Sequence, residues 1–351
     1  MDRETRDMLL ETADRFFTER CGREVVNGVE KGVWPADLWK EIEEMGLPLI
    51  AVDEDKGGAG GTLADMLALL RLAGAHAVPV PLAETALANL LVARAGGVPA
   101  AGPSTVALGA LTLEGNRLRG TVTRVPFASV ADRFVGVAAT TEGPKVAVVP
   151  AANATVTETP SHAGEPYGTV SFDKAVCEFV GASPADGERA YALAALVRAM
   201  QMAGAADKVL GTAVEYCKQR VQFGRPISTF QAIQQMLAEL ASYVAATIAA
   251  AEAAARDADE GGFADGGSFS IAAAKSQTSD FAQRIAAIAH QSMGAMGFTH
   301  EHILHHYTRR LWVWRRDFGS ETFWGEKIGS AFAKAGPQAL WPSLTASAYA
   351  A

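Results

Sequence analysis

Apolar residues recur at helical spacing through most of residues 1–95. In "DRETRDMLLETADRFFTER", Met8, Leu9, Ala13, Phe16 and Phe17 share one side of a helix. "WPADLWKEIEEMG" predicts a second helix, with Pro35 early, where a missing N–H costs little, and Gly46 at its stop. Four glycines between Gly57 and Gly61 require a loop. "GTLADMLALLRLAGAHA" and "PLAETALANLLVARAGG" predict the third and fourth helices.

Between about 100 and 180 the pattern changes. "TVALGALTL", "NRLRGTVTRVPF", "RFVGVAA", "KVAVVP", "ATVTETP" and "GTVSFDKAVCEFV" are short, rich in Val and Thr, and bounded by Gly, Pro and Asn. They predict antiparallel strands of a small β domain. Helix returns at Ser183-Pro184, read as an N-cap followed by proline. One stripe of that helix carries Leu193, Leu196, Val197, Met200, Ala203, Leu210, Val214 and Cys217. A further helix opens at Ser228 with a capping box to Gln231 and runs through an alanine-rich stretch to a loop over "GGFADGGS". "FSIAAAKSQTSDFAQRIAAIAHQSMGA" and "THEHILHHYTRRLWVW" complete a four-helix bundle. The fold class is therefore α+β. The order implies an N-terminal helical domain (1–98), a middle β domain (99–181) and a C-terminal helical bundle (182–351).

Composition adds exclusions. The chain has 351 residues, 49% of them apolar, and a net charge of −8, which fits a folded protein and argues against a nucleic-acid surface. The charged start "MDRETRDMLLETADRFF" shows no secretory signal, and no apolar run is read as a membrane span. Cys21, Cys177 and Cys217 are odd in number and far apart. They read as buried free thiols of a reducing cytoplasm.

Three stretches could carry chemistry. "QRVQFGRPISTFQAIQQ" (219–235) breaks the helical pattern and brings Arg220, Arg225 and a helix start into one space. Guanidinium forks and free N–H groups favour a phosphate or pyrophosphate, and Phe223 offers a flat face to a ring. A loop of merely solvated arginines remains the alternative. "HQSMGAMGFTHEH" places Gln291 at a helix end before Gly294 and Gly297, where a backbone can approach a ligand closely or simply cap the helix. The third stretch clusters His300, His302, His305 and His306. His302 and His306 are four apart, but Leu304 stands where H-E-x-x-H would need a ligand, so no metal site is assigned. Arg309, Arg310, Arg315 and Arg316 alternate with Trp312 and Trp314, a pattern for cation–π stacking at an interface. A Rossmann fingerprint, a P-loop and a nucleophile elbow are all absent from the sequence.

With these residues in view, the whole chain resembles the acyl-CoA dehydrogenase family. The matching segments are "LWKEIEEMGLPLIAVDEDKGGAGG", "RVQFGRPISTFQAI" and "AHQSMGAMGFTHE", the last with Ala295 in place of a family glycine. The resemblance implies FAD as cofactor and oxidation of an acyl-CoA to its 2-enoyl-CoA. It implies a dimer in which Arg220, Phe223, Gln231, Gln291 and Gly294 reach the FAD of the neighbouring subunit. It also implies an electron-transferring flavoprotein as acceptor.

The departures are equally specific. The position of the family's catalytic glutamate holds Phe318, and the alternative position on the long helix holds Ala194, followed by Ala195. The β domain runs "STVALGALTLEGNRLRGT" and "TRVPFASVAD" where the family has its flavin-ring segments. Phenylalanine cannot abstract a proton. Asp317 and Glu321 flank the position and are the substitute bases to consider. The expectation is a non-catalytic subunit that completes the FAD site of a homologous catalytic partner. A self-sufficient homo-oligomer using Asp317 or Glu321, and a flavin-free scaffold, remain the alternatives.

Overall fold

A computed structural model describes residues 1, 3–260, 268–336, 338 and 341–342. Five helices open the chain: α1 (Arg3–Arg20), α2 (Arg23–Glu30), α3 (Ala36–Glu44), α4 (Leu63–Ala75) and α5 (Leu82–Arg94). The sequence reading had missed α2, whose eight residues span barely two turns. Pro35 is the N-cap of α3 and not its first residue, and Gly46 ends the segment at φ 69°. After the glycine loop, Thr62 and Asp65 form a reciprocal capping box for α4.

Eight strands follow: β1 (Ser104–Val106), β2 (Thr112–Glu114), β3 (Arg117–Pro126), β4 (Arg133–Ala138), β5 (Lys145–Pro150), β6 (Thr155–Thr159), β7 (Tyr167–Val176) and β8 (Phe179–Ala182). They form two four-stranded sheets, ordered β1-β4-β5-β8 and β2-β3-β7-β6. All pairings are antiparallel except β1 with β4, which run parallel. The β domain is thus antiparallel as expected, with one parallel step. β1 and β4 are joined through the other sheet, so no tight hairpin sets their direction. Strands β4 and β5 are buried on both faces. Val135, Val137, Val146 and Val148 join the core shared with the helices, while Phe134, Ala147 and Val149 join the core between the sheets.

The long helix α6 (Gly187–Gln219) starts with Asp186 as its cap, accepting the Arg189 N–H, and not at Ser183-Pro184. Ser183 is spent on a local turn around Ala185. The expected stripe is also too narrow, because residues 192–206 are buried continuously, with Leu210 and Val214 only partly covered. Small residues permit this. A Cβ on Gly204 would lie 1.9 Å from the Arg71 carbonyl oxygen, and one on Gly74 would lie 2.1 Å from that of Gln201. Helices α4 and α6 therefore cross backbone to backbone.

A two-residue hairpin, β9 (Val221–Gln222) and β10 (Arg225–Pro226), leads to α7 (Gln231–Glu260). The expected Ser228 capping box does not form. Residues Ile227–Thr229 make a 3-10 turn, and the helix begins at Gln231. By length and composition α7 could cross a bilayer, which corrects the reading that no segment qualifies. It packs a stripe of Leu240, Val244, Thr247 and Ala251 inward, and only 22% of its most apolar window is buried. Helix α8 (Ser268–Met293) follows, the loop expected before it lying largely outside the described residues. Helix α9 (Leu304–Trp314) and a further helix α10 (Glu321–Ala335), which sequence reading did not separate, close the bundle.

Candidate functional site

The sequence-selected residues gather at one end of the bundle. Helix α6 stops at Gln219, and Arg220 leaves in extended conformation. The hairpin turn places Phe223 at φ 54° and Gly224 at φ 79°, the two left-handed positions that match a two-residue hairpin. Phenylalanine accepts that backbone at a cost, and its ring is 91% exposed. Beside it, Phe230 lies 6.0 Å away edge to face, and the Arg225 guanidinium stacks over Phe230 at 4.2 Å. The hairpin is held by Ile227 N–H to Arg220 O, 2.9 Å, and by Thr229 Oγ1 to Pro226 O, 2.7 Å. Cys217 Sγ lies 3.7 Å from Ser292 O, so the end of α6 meets the end of α8. Gln291 and Gly294 are thereby carried to the same end. Gln291, Gly294, Arg220, Phe223 and Gln231 are all exposed. Gly294 has φ 60°, which ends α8 in a turn open to solvent. An exposed aromatic face offers stacking to an adenine, and guanidinium groups with the positive end of α7 offer donors to a pyrophosphate, so this surface fits them.

The second place is the slot between the β domain and the bundle. A cavity of about 300 Å³ is lined by Val106, Leu108, Arg124, Tyr191, Asp317 and Phe318 among others. That is the bottom of the range for small-molecule pockets, about 300–1,000 Å³. A bulge in β3 between Val122 and Val125 holds Arg124 at φ 58° and aims it across the slot. Its Nη2 donates to Asp317 Oδ1 at 2.7 Å. The Tyr167 hydroxyl donates to Asp317 Oδ2 at 2.5 Å, and Arg198 Nε lies 3.4 Å from the same oxygen. Arg198, 1% exposed, also donates to Glu84 Oε1 at 2.8 Å and Gln201 Oε1 at 2.6 Å. Burial pushes the Glu84 carboxyl up, opposed mainly by Arg198. Burial and the Asp317 charge push the Tyr167 hydroxyl well above its ordinary value, so it stays a donor.

Phe318 stands at φ 51°, followed by Gly319 at φ 95°. Its ring packs edge to face on Tyr191 at 5.9 Å, and Tyr191 continues to Phe323 and Trp324. The turn is pinned from below by Lys275, fully buried, whose Nζ reaches Gly319 O at 2.8 Å, Arg315 O at 3.0 Å and Ser279 Oγ at 2.9 Å. Burial pulls Lys275 down to about 7.

Neither flanking carboxylate is presented as a free base. Asp317 is 2% exposed, with both oxygens engaged. Glu321 lines a different hollow, with Gln283, Trp312 and Arg315. Burial would raise it, but its helix-end hydrogen bond and Arg315 together hold it below the usual carboxylate range. Ala194 and Ala195 are both fully buried in α6.

Two expectations for α9 change. The helix starts at Leu304, so His302 lies outside it, its Nδ1 accepting the Leu304 N–H, and does not share a face with His306. The arginines find carboxylates rather than the neighbouring tryptophans. Arg310 binds Glu165 at 2.9 Å, Arg309 binds Glu30, and Arg315 binds Glu321. Trp314 is stacked by Arg198 of α6 at 5.1 Å, and its Nε1 donates to Glu165 at 2.9 Å. All three cysteines are free; Cys177 and Cys217 are buried as expected, whereas Cys21 is only partly so.

Sequence reasoning missed Glu84, Tyr167, Glu165, Arg198 and Lys275. The available signal was a single charge inside an apolar helix run, as in "ALVRAMQMAG" and "IAAAKSQTS".

Residues 3–97 match the family model "Acyl-CoA dehydrogenase, N-terminal domain", and residues 189–321 match "Acyl-CoA dehydrogenase, C-terminal domain". The acyl-CoA dehydrogenase IpdE2 of Mycobacterium tuberculosis is 31% identical over 88% of this chain and 91% of its own. The acyl-CoA dehydrogenase FadE34 of the same organism is 35% identical over 82% of this chain, which spans only 41% of that protein's length. Among solved structures, a Tcur3481-Tcur3483 steroid ACAD variant superposes with a TM-score of 0.81 at 25% identity, covering 95% of this chain and 98% of that one. The Mycobacterium tuberculosis ChsE4-ChsE5 complex shares the fold, with a TM-score of 0.78 at 24% identity, covering 95% and 98%. The chain belongs to the acyl-CoA dehydrogenase family, and FAD is its cofactor.

Proposed function

We propose that this chain is the subunit that completes a partner's FAD site in a heteromeric acyl-CoA dehydrogenase. The observation that carries the reading is the contrast between its two sites. Its own slot holds Phe318 where a base is needed, with Asp317 tied to Arg124, Tyr167 and Arg198. The hairpin at the bundle end holds Phe223 out to solvent.

FAD, when bound, supplies the acceptor for the hydride leaving an acyl-CoA as its α-proton is removed. This chain's residues hold and orient. Arg220 neutralises pyrophosphate charge, Phe223 covers an aromatic ring, and Gln231, Gln291 and the open Gly294 turn offer donors and close backbone approach. The partner supplies the carboxylate base and the cradle for the flavin ring. Only 22% of the most apolar window of α7 is buried within the lone chain, which supports an assembled state. The solved relatives named as a steroid ACAD and as a two-component complex support a bulky, sterol-derived acyl-CoA and a heteromer. Three unpaired thiols support a cytoplasmic setting, and membership of the family supports an electron-transferring flavoprotein as acceptor.

The test is to purify the chain alone and co-purified with a homologous subunit carrying the family's glutamate. Flavin absorbance and turnover of a steroid side-chain acyl-CoA are read in both. The co-purified complex should be yellow and active, and the lone chain colourless and inactive. A lone chain that retains flavin and turns over would overturn the proposal and favour a self-sufficient oligomer.

A further inference from the structure

We infer that Glu30, His305 and His306 form a binding site for a divalent transition metal of the zinc class. Glu30 ends α2, and the two histidines lie in the first turn of α9, so the site joins the N-terminal helices to the bundle. One ligand atom from each residue lies within 4.8 Å of the others, close enough for small side-chain motions to bring them round one ion. His305 is 7% exposed and His306 2%. Among the described residues, neither ring nitrogen of His305 has a hydrogen-bond partner, and nor does Nε2 of His306. Buried polar atoms are nearly always paired, and each neutral imidazole carries one ring-nitrogen lone pair, so the two histidines offer two lone pairs to an acceptor missing from this spot.

The surroundings suit such an ion. His306 Nδ1 lies 3.1 Å from Glu30 Oε1, and the two imidazole rings lie 4.0 Å apart between centroids, tilted by 48°. Arg309 binds the same Glu30 oxygen, an outer-shell contact of the kind that orients a ligating carboxylate. Two imidazoles with one carboxylate select zinc-like ions over calcium or magnesium, which prefer oxygen. Glu30 also lines a hollow of about 650 Å³ shared with Trp34, Phe127 and Pro166, which gives an ion a way in. The backbone of the loop over Glu30 is fitted closely: a Cβ on Gly164 would lie 2.3 Å from Glu30 Cγ. The fourth coordination position is left to water. The site stands independently of the subunit role proposed above.

The experiment titrates zinc chloride into the chelator-stripped full chain by calorimetry, with cobalt(II) as an optical probe. The wild-type chain should bind one equivalent and show the visible bands of four-coordinate cobalt. His305→Ala and Glu30→Gln should each weaken zinc binding at least ten-fold, while the exposed-site control His162→Ala should leave it unchanged. His305→Gln, closer in volume, replaces His305→Ala should the latter misfold. No saturable zinc binding by the wild-type chain, absence of the cobalt bands, or equal binding after loss of the His305 imidazole would each overturn the inference.

Discussion

Replacing Arg198 with methionine tests whether the slot is a structural plug. Arg198 is 1% exposed and is the shared cation of two buried carboxylates, Glu84 at 3% and Asp317 at 2% exposure. Methionine fills much of the space over Trp314 but leaves Glu84 without its ion-pair partner, while Asp317 keeps Arg124 and Tyr167. Breaking one side of a buried pair costs about 3–5 kcal/mol. At the unfolding entropy typical of globular proteins, a chain of this length should lose about 4–7 °C in midpoint. The pH dependence follows from Glu84. Its native pKa is already raised by burial, and without Arg198 it rises further. The folded variant then holds a proton that the unfolded chain has lost, so its deficit against wild type is full at high pH. The unfolded chain is common to both proteins, so the deficit shrinks only as pH falls from the variant's folded pKa towards the wild type's, which burial already holds above the ordinary carboxylate value. Scanning calorimetry at fixed protein concentration, at pH 8 and pH 5.5, reads both effects. Glu84→Gln in the Arg198→Met background should recover about 1–3 kcal/mol through coupling. A loss under about 1 kcal/mol at pH 8, or a deficit that grows on acidification, would refute the reasoning.

Other positions give independent tests. Gly204→Ala drives a Cβ into the Arg71 carbonyl and should cost more than about 2 kcal/mol, whereas Gly211→Ala meets open space on the same helix and should gain about 0.5–1 kcal/mol; paired urea melts distinguish them. Lys275 is pulled down to about 7 from an unfolded value near 10.4, so its folded form sheds a proton first and wild-type stability rises with pH between those values. The stability advantage of wild type over Lys275→Met should therefore grow from pH 7 towards pH 9, by at most about 1.4 kcal/mol per unit, measured by chemical denaturation. Phe223→Ala, at a residue 91% exposed, should leave the lone chain's unfolding free energy within about 0.5 kcal/mol of wild type while the co-purified complex loses flavin on dialysis. Phe318→Glu should confer no turnover on the isolated chain, because Tyr191 and the Arg124–Asp317 pair still occupy the slot; acyl-CoA oxidation by the purified variant checks this.

The linear order of residues was enough for the helical, β and helical succession, because apolar periodicity is a local property that each segment carries by itself. It also marked the hairpin of Arg220, Phe223 and Arg225, since a break between two strong helical patterns is visible without coordinates. The cap at Asp186, the start of α7 at Gln231, and the parallel step from β1 to β4 escaped it. Several residues can serve a helix start equally well, and strand direction is set by which sheet the intervening chain joins. Contacts across the fold were hidden altogether. Glu84 and Arg198 are 114 positions apart, Tyr167 and Asp317 are 150 apart, and each pair exists only because distant segments of the chain close on one another. A lone charge in an apolar run signals that some partner must be found in the interior. Which partner it finds depends on packing geometry, and that is a property of the folded chain alone.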